Sequence, residues 1–542
     1  MQPLRAHLIC RAPNRFNPSI ALWDHFVAHS PPNFHHPRFS STATEAAQHD
    51  PSTNSPAADE VVVNSEQANG RPQSKKAGSA PKIRKIENTR SPPYPVPASS
   101  EKRKQLLYAS RQSSQTPSEK LLADARAAFE DSREYKGVVA KPATASHPIK
   151  ESSLPWSLKR KEKDMPGTDV LEKEIQEFYK YTKPQPSEAR AREELIKRTQ
   201  KHVRGFLKKH DVEVFGSERH GVALATSDID FRLLWPGQPS DPEIAKLPPP
   251  TRQERNKATN KLVTLFKRGF KANNGYLMAS LRHARYPLIS AQDKHTRLDV
   301  QIVLSNDTSH STAIMKRYME EIPYLEMLYY VVKVTFDVRG LSDVFRGGFG
   351  SYSLFMMVVA SIKHAPHPRQ DAAGGLINFL KFYSEFDTTK HGISIEPVEL
   401  FDKKQHPCIT DTVRAKIAQG QLNPLPEYML SLRDPADETN DLGKKGIAIT
   451  HVQTTLAHLL KQLESDMRVN ARPSLLAPLV GASYMLDMPR RRSVQAYGQR
   501  LLAKDQKGLS VLAKKVREAS TKGQVKQEDT VNAKAMDSSS KI

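Results

Sequence analysis

The sequence predicts an α+β protein: a small mixed sheet with helices, then a mainly helical domain, behind a long disordered N-terminal region. Three observations carry this prediction. Only 38% of the 542 residues are apolar and 39 are proline, against roughly 45–50% apolar in a compact chain. Between residues 168 and 304, helical apolar spacing gives way to the period of two that marks strands. From Tyr318 to about Leu463 the spacing is mainly helical again.

Residues 1–40 read as a mitochondrial leader. Arg5, Arg11, Arg15 and Arg38 are spread among apolar residues, and Asp24 is the single acid before Glu45. Arg38-Phe39-Ser40-Ser41 has the form of a processing site, and the compact apolar block of a secretory leader is missing. The other reading is a disordered basic tail. Residues 41–165 are rich in Ser, Pro, Ala, Lys and Glu, a composition that buries too little apolar surface to offset chain entropy. They are expected to form a disordered linker with a short helix around Lys120–Phe129. The clusters Lys82-Ile83-Arg84-Lys85 and Lys159-Arg160-Lys161-Glu162-Lys163 fit nuclear signals, RNA tethers or plain solvated runs.

Order is expected from Thr168. Leu171, Ile175 and Phe178 share one face of a helix, which Pro184 and Pro186 end. A second helix runs from Glu188 towards Lys209. Val212 and Val214 then alternate into Phe215-Gly216-Ser217, a strand closing on a tight turn. Further strands are expected at Ile229–Leu234, near Tyr276–His283 and at Arg297–Leu304, with a helix at about 251–273. This organises the chain as a sheet-bearing domain at 185–318, a helical domain at 166–184 and 319–475, and a basic, partly disordered tail at 476–542.

The 82 Lys and Arg exceed the 59 Asp and Glu by 23. Such a surplus suits a polyanion, either nucleic acid or an anionic membrane surface, or serves solubility alone. Two cysteines, Cys10 and Cys408, exclude a disulfide scaffold and a Cys-rich zinc domain. No stretch approaches the roughly 18 apolar residues of a membrane span.

The chemistry concentrates in Val214-Phe215-Gly216-Ser217 and Ser227-Asp228-Ile229-Asp230. Residues i and i+2 of a strand project to one face, so Asp228 and Asp230 share a site. Adjacent carboxylates repel unless a cation lies between them, and Mg²⁺ prefers oxygen ligands while keeping positions open for phosphate. Asp299 lies on a later strand among apolar residues, where a carboxylate is costly unless paired or metal-bound. Gly216 lets backbone approach a phosphate, and Ser217, opening the next helix, offers hydroxyl and amide donors. The combination suits a two-metal site acting on a triphosphate.

With these residues the chain resembles the DNA polymerase β-like nucleotidyltransferase superfamily, whose hallmark is Phe-Gly-Ser followed by Thr-Ser-Asp-Ile-Asp. Within it, residues 168–465 resemble the non-canonical poly(A) polymerases, the group holding Trf4-type and mitochondrial poly(A) polymerases and terminal uridylyltransferases. The helix from Leu171 to Tyr179, Gly347-Gly348-Phe349-Gly350-Ser351-Tyr352-Ser353-Leu354, the segment Gly375–Tyr383, Asp434-Pro435 and Asn440-Asp441-Leu442-Gly443 carry the resemblance. It implies a polymerase β-like palm followed by a poly(A)-polymerase-associated helical domain.

By that resemblance Asp228, Asp230 and Asp299 are the metal triad, binding Mg²⁺ or Mn²⁺, with Asp299 nearest the attacking 3′-hydroxyl. Gly216 and Ser217 hold the β- and γ-phosphates, and Lys333 and Ser351 also reach the triphosphate. Tyr352 stacks on the base, and Asn440 and Asp441 shape its edge. The activity implied is template-independent addition of AMP from ATP to an RNA 3′-end. Uridylyltransferases of this group usually carry a histidine shortly after the Asn-Asp pair, where this chain has Gly443-Lys444-Lys445-Gly446. The alternatives are a terminal uridylyltransferase and a degenerate RNA- or protein-binding scaffold. Two features depart from the pattern: Asp337 stands where some members carry a second basic residue, and Glu218-Arg219-His220 is unusually charged.

RNA would be gripped by basic surface through phosphate contacts, with Arg282, His283, Arg285, the run Arg490-Arg491-Arg492 and the Lys-rich tail as candidates. RNA-binding partner subunits are compatible with this arrangement. The location expected is mitochondrial, or nuclear if the basic clusters outrank the leader.

Overall fold

The computed structural model describes residues 117–142, 149–159, 165–208, 210–234, 252–271, 273–282, 288–304 and 309–539. The leader, its processing site, the cluster at 82–85, and His283 and Arg285 lie outside the described residues.

Helix α1 (Pro117–Glu130) contains the short helix expected at 120–129. The expectation of disorder across 41–165 is corrected for residues 117–142 and 149–159, which pack on the helical domain. Leu122 and Ala125 are buried, and Trp156 is fully buried against Phe178, edge to face at 4.9 Å. The backbone of residues 135–140 is pinned by polar ties. Tyr135 donates to the Ile447 carbonyl (2.7 Å), Val138 N–H to His451 Nδ1 (3.0 Å) and Ala140 N–H to Thr455 Oγ1 (2.9 Å).

Helix α2 (Gly167–Thr182) buries Leu171, Ile175 and Phe178, the expected face. Its Glu174 is also buried and accepts from Ser474 Oγ and from the N–H groups of Leu475 and Leu476 at 2.9–3.1 Å. Helix α3 (Pro186–Phe206) starts with a proline, and Gln185 N–H donates to Glu188 at 2.7 Å, closing the helix's first turn.

The palm then builds β1 (Asp211–Phe215), the single-turn helix α4 (Gly216–His220), β2 (Ile229–Leu234), α5 (Arg252–Leu265) with a π turn to Phe270, β3 (Tyr276–Arg282), β4 (Leu288–Asp293) and β5 (Asp299–Leu304). The sheet order is β1-β2-β5-β4-β3, with β2 and β5 parallel and the other neighbours antiparallel. Strand β4 is an element the sequence reading lacked. It is almost wholly buried, so it shows no in–out alternation to reveal it. Ile229, Phe231, Val300 and Ile302 form the palm core with Leu195, Leu262 and Ile289.

The helical domain comprises α6 (Ser309–Glu321), α7 (Leu325–Asp337), α8 (Ser351–His364), α9 (Ala372–Glu385), the hairpin β6 (His391–Ser394) with β7 (Glu399–Asp402), α10 (Asp411–Ala418), the hairpin β8 (Arg433–Asp434) with β9 (Asp437–Asp441), and α11 (Ile449–Val469). Helix α8 is apolar nearly all round and buried along almost its whole length, so it forms the centre of a second core shared with α2, α7, α9 and α11.

The expected loose tail is instead α12 (Ala477–Ser539), a helix containing Pro489. Its first part packs on α3 and α7. Residues 503–515 are exposed. Among the described residues no helix is long and apolar enough to cross a membrane.

Candidate active site

The sheet register assembles the site. Phe215 at the end of β1 pairs with Asp230, and Gly216 turns the chain away with φ of +66°, a conformation glycine adopts without strain. The Gly216-Ser217 turn therefore emerges beside Asp230. Across the parallel β2–β5 pair, Ile229 faces Val300 and Asp230 faces Gln301. Asp228, one residue before β2, and Asp299, first in β5, thus stand at the same end of neighbouring strands.

Gln301 Nε2 donates to Asp228 Oδ2 at 3.1 Å, and Gln292 Nε2 to Asp299 Oδ1 at 3.4 Å. Burial, then the Asp299 charge, push the Asp228 carboxyl well above the usual range; Arg490 opposes this and Asp230 adds to it. Arg490, from α12, places Nη2 2.8 Å from Asp299 Oδ2 and Nη1 3.8 Å from Asp228 Oδ1. Among the described residues no three His, Cys, Asp or Glu side chains stand in a metal-holding arrangement. The donor set nonetheless suits a hard divalent cation: Asp230 and Asp299 are near enough to raise Asp228, and a positive group is already set against two of the three.

Helix α4 spans only five residues, so its donors are the local N–H groups and the Ser217 hydroxyl rather than a long helix dipole. The unusual charges after Ser217 are each accounted for. Glu218 pairs with buried Arg192 of α3 (2.5 Å), Arg219 with Glu213 (3.6 Å), and His220 Nε2 hydrogen-bonds Thr312 Oγ1 (2.9 Å). Arg192 also donates to the carbonyls of Ala225 (3.2 Å) and Ser227 (2.7 Å). One guanidinium therefore fixes both the Gly-Ser turn and the approach to Asp228.

Lys333 of α7 pairs with Asp337 one turn on, at 3.2 Å. Burial works to lower its ammonium, but Asp337, Tyr329 and Asp228 outweigh that and hold it above its ordinary value. The Asp228 contribution places Lys333 within electrostatic reach of the carboxylates. Tyr329 donates to the Ser351 carbonyl at 3.2 Å, joining α7 to the start of α8.

Tyr352, Asp434, Asn440 and Lys444 form one chain of contacts. Tyr352 donates its hydroxyl to Asp434 Oδ1 (2.8 Å), Asn440 Nδ2 to Asp434 Oδ2 (2.9 Å) and Lys444 Nζ to Asn440 Oδ1 (2.6 Å). Tyr352 is 6% exposed. Asp441 accepts from Leu432 N–H (3.0 Å) and Gly443 N–H (2.8 Å), so its carboxylate fixes the end of β9, the strand that carries Asn440.

Sequence reasoning missed Arg192 and Gln301. Gln301 was within reach, since it lies two residues from Asp299 on the same strand face. Arg192 gave no signal among the many basic residues of α3. The run Arg490-Arg491-Arg492 is corrected as a phosphate-gripping surface: Arg490 meets the carboxylates, and buried Arg491 pairs with Glu188 at 2.6 Å. Only Arg492 is exposed.

Comparison with known proteins agrees with this layout. Residues 171–320 match the family described as poly(A) RNA polymerase, mitochondrial-like, central palm domain, and residues 375–440 match the Cid1 family poly A polymerase. Poly(A) RNA polymerase cid14 of Schizosaccharomyces pombe is 23% identical over 68% of this chain and 53% of its own length. The inactive non-canonical poly(A) RNA polymerase protein Trf4-2 of Drosophila melanogaster is 25% identical over 56% of this chain and 71% of its own. The chain thus spans about half the length of the fission-yeast relative. A solved structure of the polymerase core of TRAMP, an RNA surveillance complex, is 21% identical with a TM-score of 0.49, covering 60% of this chain and 99% of that one. Both family segments lie in order along this palm and helical domain, so residues 171–440 are similar to the non-canonical poly(A) RNA polymerases.

Proposed function

We propose that the protein is a template-independent RNA 3′-end nucleotidyltransferase that adds AMP from ATP. The reading is carried by one observation: Asp228, Asp230 and Asp299 gather at the ends of adjacent parallel strands, beside the Gly216-Ser217 turn. In the reaction the primer 3′-oxygen attacks the α-phosphorus in line, the bond to the bridging oxygen breaks, and diphosphate leaves. Ser217 and the Gly216 backbone would donate to the β- and γ-phosphates, with Ser351 beside them, and Lys333 would neutralise their charge as a point cation. Asp299 would face the primer hydroxyl. Tyr352 of α8 and Asn440 of β9, joined through Asp434, would present the base-side surface, with Asp441 fixing the end of β9. Asp228, Asp230 and Asp299 would hold Mg²⁺ or Mn²⁺, which when bound supplies Lewis-acid stabilisation of the transferring phosphoryl group.

The test is primer extension by the purified protein with Mg²⁺, an RNA primer and each of the four nucleotides. ATP is expected to extend the primer best; a preference for UTP would make the protein a uridylyltransferase. A folded, RNA-bound protein inert with all four would end the enzyme reading. The Drosophila relative, named as inactive, keeps a scaffold role in view. The double variant Asp228→Ala, Asp230→Ala should lose extension by orders of magnitude, whereas a scaffold function would survive it. For location, the Arg-rich leader supports mitochondria, and imaging fusions with and without residues 1–45 decides between that and the nucleus. RNA 3′-ends are the proposed acceptor, with RNA-binding subunits as partners.

A further inference from the structure

We propose that Arg490 is a built-in latch on the carboxylate cluster: it occupies the cation position of the ion-free enzyme and turns away when a divalent ion enters. This rests on the reading of Asp228, Asp230 and Asp299 as the ion's ligands. The geometry is specific. Arg490 reaches Asp299 Oδ2 at 2.8 Å, lies 3.8 Å from Asp228 Oδ1, and its Nη1 also donates to the Thr226 carbonyl at 3.4 Å. The guanidinium therefore faces two of the carboxylates from a third element, α12, which is distant in sequence from both strands. An ion drawing on the same oxygen atoms competes with it directly, because two cations do not share that position.

The helix around Arg490 is built to let the side chain move while the backbone stays. Pro489, immediately before it, has no N–H to donate back to the carbonyl of Met485, which loosens the helix at this point. Immediately after it, Arg491 anchors α12 to the palm. It pairs with Glu188 at 2.6 and 3.1 Å and lies 4.2 Å from the centre of the Tyr181 ring, while Gln495 adds a 2.9 Å bond to the same Glu188. A second seat for the guanidinium is at hand. Asp487, three residues back and so on the same helix face, already acts on Arg490 electrostatically. In the ion-free state Arg490 offsets the repulsion among the carboxylates; with the ion bound, that repulsion is relieved and Arg490 pairs with Asp487. The two states link ion occupancy to the C-terminal helix, and the linkage is reciprocal.

The experiment is a titration of the full-length chain with Mn²⁺ alone, read by the loss of free-ion paramagnetic resonance signal. It compares wild type, Arg490→Gln, Arg490→Lys, Asp487→Asn and the double variant Asp228→Ala, Asp230→Ala. Arg490→Gln should bind Mn²⁺ about five- to tenfold more tightly than wild type. Arg490→Lys, which keeps the charge without the planar fork, should fall between them, and Asp487→Asn should bind more weakly than wild type. Without ion, Arg490→Gln should melt at a lower temperature than wild type, and Mn²⁺ should close that gap. Equal or weaker Mn²⁺ binding by a folded Arg490→Gln overturns the latch, and so does an absence of binding by both it and wild type. If Arg490→Gln does not fold, Arg490→Lys decides, since equal or weaker binding there is also fatal. If the double variant binds Mn²⁺ as wild type does, the carboxylate site itself is wrong. If it abolishes binding while Arg490→Gln gains nothing, only the latch fails.

Discussion

Arg192 holds Glu218 by two N–H groups, Nε at 3.0 Å and Nη2 at 2.5 Å from the same carboxylate oxygen, while its Nη1 takes the carbonyls of Ala225 and Ser227. A planar fork of donors is what lets one side chain tie the Gly-Ser turn to the loop entering Asp228, and lysine has no such fork. Arg192→Lys is therefore expected to lower kcat/KM about 10- to 100-fold through misplacement of both segments. The loss should divide between a higher KM for nucleotide and a lower kcat, read by steady-state kinetics beside a melting curve. A drop in melting temperature with unchanged kinetics would make Arg192 purely structural.

In the proposed reading, Lys333 reaches the triphosphate only by competing with its own neighbour. Asp337 stands 3.2 Å from Nζ at the i,i+4 spacing, with both side chains largely buried. Replacing Asp337 by Asn keeps the size and removes the rival charge. The KM for nucleotide should fall about two- to fivefold, the scale of a weak ion pair, with kcat little changed. A rise in KM would instead mean that Asp337 aims Lys333 at its ligand.

His220 ties the helix that begins at Gly216 to α6 through Thr312. Burial first, then the Arg219 and Lys316 charges, bring its imidazole down from 6.5 to about 4. Between those values the unfolded chain binds the proton and the folded one does not, so stability rises with pH across the window. It is complete above about 6.5 and is lost as pH falls towards 4. The full shift corresponds to about 3 kcal/mol. His220→Gln removes this titration. Wild type should therefore lose about 2–3 kcal/mol more than the variant between neutral pH and pH of about 4, measured by urea unfolding. Parallel curves would show that His220 does not titrate in this way.

What could be read in the sequence was local. The Leu171, Ile175, Phe178 face, the Val212–Val214 strand and the Asp228/Asp230 pair each follow from a fixed period within one element. What escaped depends on partners far along the chain. Residues 117–142 and 149–159 look disordered when averaged over a polar stretch, yet a few anchors such as Leu122, Tyr135 and Trp156 dock them onto the helical domain. Helix α12 reads as a Lys-rich tail interrupted by proline, and its ion pairs to Glu188 and Asp299 come from other parts of the fold. The two hairpins of the helical domain are only two to five residues per strand, too short to show a period. At the site, the carboxylates were legible as a motif, but Arg192 and the role of Arg490 were not, because a charge run carries no mark of which residues turn inward.

Tyr352 and Asn440 meet through Asp434, and this makes the proposed base-side surface sensitive to one hydroxyl. Burial raises the Asp434 carboxyl above 3.8, while the Ala436 N–H, Asn440 and Tyr352 donors work the other way. A raised carboxyl takes up protons on folding. The stability it contributes is full below its unfolded value near 3.8 and is lost as pH rises through the folded value. Tyr352→Phe removes a donor that serves the ionised form, so its cost appears only once Asp434 is charged. The variant should be close to wild type near pH of about 4 and about 1–2 kcal/mol less stable near neutrality, by urea unfolding. Because Asn440 shares that carboxylate and Lys444 in turn holds Asn440, the same variant should discriminate less between ATP and UTP in primer extension. No stability loss at either pH, with nucleotide preference unchanged, would assign Tyr352 to packing through its ring, since phenylalanine keeps the ring and loses only the hydroxyl.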